Sequence, residues 1–164
     1  MKLYVIHDYK SIFPELKGSE LTDRLIQMCL SGDADASAIL VRREEGGKPF
    51  VEGAPVHFSV SHSGLYVVCA VDERPIGVDV EVVRGAEEKF MHRVCTEREF
   101  SYVRPYDDGG YERFWEIWTA KEALFKLTGK GPLLGLSCFA LPENVALEHL
   151  RLNGCTVTAA FQLK

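Results

Sequence analysis

The sequence predicts one compact domain built of both strands and helices, and three observations carry that reading. The chain has 164 residues and 46% hydrophobic content, enough to bury a core without disulfide or metal staples. Three strand-like segments follow one another between Val56 and Val82, closely enough to form a meander. Tyr111 to Thr128 has the spacing of a long amphipathic helix.

The elements follow in order. Lys2 to His7 reads as a strand. Met1 to Tyr9 lacks a cationic start, a long apolar stretch and a small-residue cleavage site, so it does not read as a signal peptide. Leu21, Leu25, Met28 and Cys29 have helical spacing, and Ser31-Gly32-Asp33 ends that helix. Ala34 to Arg43 is expected as a second helix, and Glu44 to Pro55 as a loop rich in Gly and Pro that carries Lys48. From Val56 to Ser61, Val56, Phe58 and Val60 alternate with His57, Ser59 and Ser61, and His62 stands at the strand tip. Ser63-Gly64 makes a turn, Leu65 to Val71 is a buried strand, and Asp72 to Pro75 turns into the strand Ile76 to Val82.

Thr96-Glu97-Arg98-Glu99 matches a capping box, with Phe100 on the helix that follows and Arg104 to Gly110 breaking it. Gly129-Lys130-Gly131-Pro132 stops the long helix. Leu136 to Leu141 and Thr156 to Leu163 are the last strand candidates. Ser63–Ala70 and Asn153–Ala160 echo each other, a turn glycine followed by small and apolar residues, as two related halves would.

Several classes are excluded. The net charge is −5 with no charged run, which does not suit a nucleic-acid binder. No apolar stretch is long enough to span a bilayer. The five cysteines, Cys29, Cys69, Cys95, Cys138 and Cys155, match no zinc or redox spacing and are expected as reduced structural thiols of a cytoplasmic protein.

The chemistry concentrates in three places. Asp79 and Glu81 lie two apart on a strand, so they share one face while the valines take the other. Neighbouring carboxylates repel unless a cation lies between them, and a hard divalent ion such as Mg²⁺ is the usual solution. A half-exposed edge strand with two solvated acids would read the same way. On the long helix, Phe114, Ile117, Trp118, Leu124 and Phe125 gather on one face with Lys121 in its middle, so Lys121 must snorkel or meet a buried anion. Glu122 and Lys126 flank it as an i,i+4 pair. Ser61-His62-Ser63-Gly64 offers hydroxyls, an imidazole and backbone N–H groups to a phosphate. No hydrolase nucleophile elbow or phosphate-binding loop is present. Three acids (Asp79, Glu81, Glu122) and four cations (Lys48, Arg84, Lys121, Lys126) equip a site for phosphoryl-type transfer.

Four motifs, in order, resemble the 4′-phosphopantetheinyl transferase superfamily, Sfp-type. They are Gly47-Lys48-Pro49, Phe58-Ser59-Val60-Ser61-His62-Ser63-Gly64, Gly77-Val78-Asp79-Val80-Glu81, and the run from Phe114 to Gly131. Phe90 to Phe100 also resembles the family's loop before a capped helix. The resemblance implies an α+β fold, a compact pseudo-dimer with halves 1–82 and 83–164. It implies transfer of the 4′-phosphopantetheine arm of coenzyme A to a serine of an apo acyl or peptidyl carrier protein, releasing 3′,5′-adenosine bisphosphate.

Carried over by motif, Asp79, Glu81 and Glu122 would hold Mg²⁺, with Mn²⁺ as the other option. Glu122, directly or through a metal-bound water, would take the serine proton, with Asp79 and Lys126 as its catalytic partners. Lys121, Lys126, Ser61 and His62 would face phosphates. Lys48 and Pro49 would approach the nucleotide, and Arg84 would be a further cation near the acids. An acidic carrier would dock on a patch from Arg93, Arg98, Arg104 or Lys130, side chains that a solvated face would equally carry. The protein is expected to be a monomer. The region before Gly47 departs from the family: it lacks a basic helical stretch and offers only Arg24, Arg42 and Arg43 as arginines. The alternatives are a catalytically silent protein that binds coenzyme A or a carrier protein, and a metal-dependent phosphohydrolase.

Overall fold

Two antiparallel three-stranded sheets and a small hairpin make up the β structure of this computed structural model, which describes residues 1–31, 39–44, 47–52, 56–104, 111–129 and 141–163. The elements are β1 (Lys2–His7), α1 (Tyr9–Ile12), α2 (Gly18–Ser31), β2 (Val41–Arg43), β3 (Pro49–Val51), β4 (His57–Ser63), β5 (Tyr66–Asp72), β6 (Ile76–Val82), α3 (Glu88–Val94), α4 (Glu97–Val103), α5 (Tyr111–Thr128), β7 (Val145–Leu152) and β8 (Cys155–Gln162). The first sheet runs β1-β5-β4 and the second β6-β8-β7. In each, a leading strand pairs with the far strand of a later hairpin.

This topology corrects the expected meander. β4 and β5 do form a hairpin, but β6 pairs with β8, eighty residues away in sequence terms, rather than with β5. A division after Val82 would therefore cut β6 from its own sheet; the sheets divide between Asp72 and Ile76. The echoed segments fall on the two hairpin turns, where Gly64 and Gly154 both have positive φ. Hairpin pairing of Ser63 with Tyr66 and of Leu152 with Cys155 shifts the echo by one residue.

Other elements differ locally. Val41–Arg43 is a strand rather than the end of a helix, paired with Pro49–Val51 inside the expected loop. Its turn is closed by Glu44 N–H donating to Lys48 O at 2.9 Å. Glu88–Val94 is helical where the resemblance implied a loop. The rest of the expected second helix, residues 34–38, and residues 136–140 of a strand candidate lie outside the described residues, as does Cys138. The remaining four cysteines are free and buried.

The core sits between the sheets. Val68 and Ala70 of β5 pack with Ile76, Val78 and Val80 of β6 and Val157, Ala159 and Phe161 of β8. The opposite face of β6 lies under α5. Gly77 makes that approach possible, because a Cβ there would overlap the backbone of Ala123 and Leu127. Leu124, Leu127, Val145 and Ala160 seal α5 to the second sheet, and Tyr9, Leu25 and Val67 seal the first sheet to its helices. No helix among the described residues is long and apolar enough to cross a membrane.

Candidate active site

The site forms where α5 crosses β6 and β6 faces β4. β-strand alternation puts Gly77, Asp79 and Glu81 on the α5 side, and one helical turn puts Glu122 and Lys126 beside them. Asp79 is only 5% exposed. Its Oδ1 accepts from Lys126 Nζ at 2.7 Å and from Ser61 Oγ at 2.7 Å. Its Oδ2 is buried with no partner, and so is Glu122 Oε1. Burial pushes the Glu122 carboxyl above its ordinary value; the charges of Asp79 and Glu81 push the same way, and Lys126 opposes them.

Three acids face two cations, Lys126 and Arg84, and two buried carboxylate oxygens have no partner; that excess of negative charge fits a hard divalent cation. Among the described residues no group of three or more His, Cys, Asp or Glu side chains is already placed to hold a metal ion.

Glu81 is held from two directions. Its Oε2 accepts from Ser63 Oγ at 2.7 Å and lies 3.5 Å from Arg84 Nη1. The Arg84 guanidinium lies over the Trp115 ring at 4.6 Å, and Trp115 Nε1 donates to the Arg84 carbonyl at 2.7 Å. Arg84 is thereby fastened next to the acids as a fixed cation.

A cavity of about 370 Å³ opens beside Lys126. Gly47, Lys48 and Pro49 line one side, Phe58, Ser59 and Val60 another, and Phe125, Lys126 and Gly129 a third. Three segments far apart in sequence thus meet around one space. Lys48 Nζ donates to the Lys126 carbonyl at 3.0 Å, which ties the β2–β3 hairpin to the last turn of α5.

Two expected ligands stand elsewhere. Lys121 does meet a buried anion, but the anion is Glu99: its Nζ donates to Glu99 Oε2 and to the Val94 carbonyl, each at 2.7 Å. The same Glu99 oxygen closes the capping box by accepting from Thr96 N–H at 2.7 Å. Lys121 therefore anchors α5 to α3 and α4. His62 is exposed, with its ring 6.1 Å from that of Tyr9, and is not brought to the acid cluster. Arg93, Arg98 and Arg104 are exposed and interspersed with Glu88 and Glu97; Lys130 lies outside the described residues.

Sequence reasoning gave no role to Gly77 or Ser59, read Ser63 toward a phosphate rather than Glu81, and saw Glu99 only as a capping residue. A glycine heading a strand that a long helix crosses, and a capping-box glutamate near an unexplained core lysine, were the available signals.

The family model of the 4′-phosphopantetheinyl transferase superfamily matches residues 75–158, just over half of the chain, from β6 into the first half of β8. The chain is 35% identical over 107 residues to the 4′-phosphopantetheinyl transferase gsp of Aneurinibacillus migulanus, covering 65% of this chain and 45% of that protein. It is 34% identical over 125 residues to the 4′-phosphopantetheinyl transferase Sfp of Bacillus subtilis strain 168, covering 74% and 56%. It is 32% identical over 131 residues to the 4′-phosphopantetheinyl transferase AcpT of Escherichia coli O157:H7, covering 73% and 66%. The chain spans about half the length of the first two relatives. With the family model matched over β6 and α5, which carry the three acids, the chain belongs to the 4′-phosphopantetheinyl transferase superfamily.

Proposed function

We propose that this protein transfers the 4′-phosphopantetheine arm of coenzyme A to a serine of an apo acyl or peptidyl carrier protein, releasing 3′,5′-adenosine bisphosphate. The observation that carries the reading is the pair of buried, unpartnered oxygens on Asp79 and Glu122, set against Lys126 at the mouth of the cavity. Asp79, Glu81 and Glu122 would hold Mg²⁺, which when bound would neutralise charge on the pyrophosphate oxygens.

The chain's own groups do the rest. Lys126 and Lys48 line the cavity and face the anionic part of coenzyme A, and Pro49 shapes the wall beside the nucleotide. Arg84 adds fixed positive charge beside Glu81. Glu122 is the general base that takes the proton from the attacking serine. The serine oxygen forms a bond to the pantetheine-side phosphorus as the bridging P–O bond breaks, and the bisphosphate leaves. Ser61 orients Asp79, and neither Lys121 nor His62 is assigned to the phosphates.

The matched strand orders, β1-β5-β4 and β6-β8-β7, support a pseudo-dimer of related halves divided near residue 75. Intact-mass spectrometry of an apo carrier incubated with this protein, coenzyme A and Mg²⁺ tests the function. A phosphopantetheine adduct that EDTA abolishes is the expected result. No adduct on any carrier, with coenzyme A still bound, would replace transfer with the silent binding reading.

A further inference from the structure

β4 sends three hydroxyls toward β6, and two of them meet carboxylates. Ser59 Oγ accepts from the Val78 N–H at 3.0 Å. Ser61 Oγ donates to Asp79 Oδ1. Ser63 Oγ does both jobs at once: it accepts from the Val82 N–H at 3.1 Å and donates to Glu81 Oε2 at 2.7 Å. A hydroxyl has one proton to give and lone pairs to receive, so accepting from a rigid backbone N–H leaves its proton aimed at the carboxylate.

Glu81 has a competing partner. Arg84 Nη1 stands 3.5 Å from the same Oε2, at the outer limit of a hydrogen bond, while it also faces the Val82 carbonyl at 3.4 Å. A glutamate has three side-chain torsions, and a free Glu81 would turn to the guanidinium for a closer bidentate pair. Ser63 holds it short of that. Thr156, directly opposite Glu81 in β8, has a buried hydroxyl that makes no hydrogen bond, so it does not hold Glu81 in this arrangement.

We propose that Ser63 is a positioning residue for the metal site: its hydroxyl fixes the Glu81 carboxylate toward Asp79 and Glu122 and keeps Arg84 from capturing it. This rests on the reading of the three acids as metal ligands. Outer-shell partners of metal-binding carboxylates commonly set affinity by roughly 10- to 100-fold.

The test is Mn²⁺ binding, read from loss of the free-ion paramagnetic resonance signal, with and without coenzyme A. Thermal melts on the same samples check the fold. Ser63→Ala is expected to weaken Mn²⁺ binding roughly 10-fold or more, and Ser63→Thr, which keeps the hydroxyl, to restore it. Ser59→Ala removes a comparable backbone acceptor without touching a carboxylate, so in the samples without coenzyme A, whose cavity Ser59 lines, it should melt lower yet bind Mn²⁺ as the parent does. Equal affinity in Ser63→Ala and the parent overturns the role of Ser63 and leaves the metal reading intact. Equal losses in the Ser59 and Ser63 variants reduce Ser63 to a joint between strands and overturn the proposal. A parent chain that takes up no Mn²⁺ in either condition overturns the metal reading, and the proposal with it.

Discussion

β1 and β6 hold the same place in their two sheets and have opposite characters. Counted from the hairpin turns, Tyr4 and Ile6 of β1 occupy the positions that Asp79 and Glu81 occupy in β6. Lys2 stands where Gly77 does. The hairpin strands differ in the same way. Ser59, Ser61 and Ser63 of β4 correspond to Glu148, Leu150 and Leu152 of β7. β1 alternates between exposed and half-buried residues, whereas β6 is buried from Ile76 to Val80. One frame is thus used twice, and the chemistry collects only where β4 of one sheet faces β6 of the other.

The sharpest way to break the comparison is to make β6 resemble β1 at its acid. Asp79→Asn keeps shape and removes charge. Carrier modification should fall on the order of 10²- to 10³-fold, the scale of losing one preorganised electrostatic partner, with the melting temperature little changed. Wild-type rates by intact mass would remove Asp79 from the site.

Gly77→Ala tests the crossing of α5 over β6. The new methyl group meets backbone rather than a movable side chain, so the variant should lose about 3 kcal/mol or more by denaturant titration. Lys2→Ala, at the matching position of β1, should be close to neutral. Equal effects at the two positions would mean that α5 does not bear on Gly77.

Glu99→Ala addresses the helices over the second sheet, since α2 over the first has no buried ion pair corresponding to Lys121–Glu99 among the described residues. Removing Glu99 strands the Lys121 ammonium and opens the capping box, for a loss of about 3 kcal/mol. Lys121→Met, which removes the charge and keeps the stem, should cost less and leave KM for coenzyme A unchanged. A large rise in that KM would return Lys121 to the phosphates.

The smallest effect is at Asp72, which lies where Phe161 does in the other sheet. Arg74 joins the two positions, bonded to Asp72 at 2.9 Å and lying 4.6 Å over the Phe161 ring. The Arg74 bond, then the terminal ammonium, hold the Asp72 carboxyl well below the ordinary carboxylate range. Its stabilising effect is therefore full above the unfolded value of 3.8 and is lost as the pH falls through the lowered one. Asp72→Asn should cost about 1.5 kcal/mol at neutral pH, with the gap narrowing below pH 3.8 in parallel melts. A gap that stays constant with pH would show that the charge does not matter.

Local pattern made much of this legible. Alternation marked Ile76 to Val82, and it put both acids on one face. The i,i+4 spacing placed Glu122 and Lys126 together, and the capping box at Thr96 is formed as read. What failed was non-local. Sequence adjacency suggested β5 as the neighbour of β6, but the partner β8 comes eighty residues later, after the helices. β7 went unread because residues 148–151 are all exposed and present no alternating face. The lone lysine among apolar neighbours announced an anion, yet only tertiary packing could name Glu99. The serines of β4 suggested a phosphate because hydroxyls on a strand do not reveal which backbone they will meet.

The joint between the sheets has a dynamic consequence. The amides of Val78 and Val82 are bonded to seryl hydroxyls, not to a neighbouring strand's carbonyls. The two sheets can therefore breathe apart by rotating side chains, with every backbone ladder intact. Solvent exchange at those two amides should run faster than at the ladder amides of β8, and slow once a ligand draws the acids and the serines together.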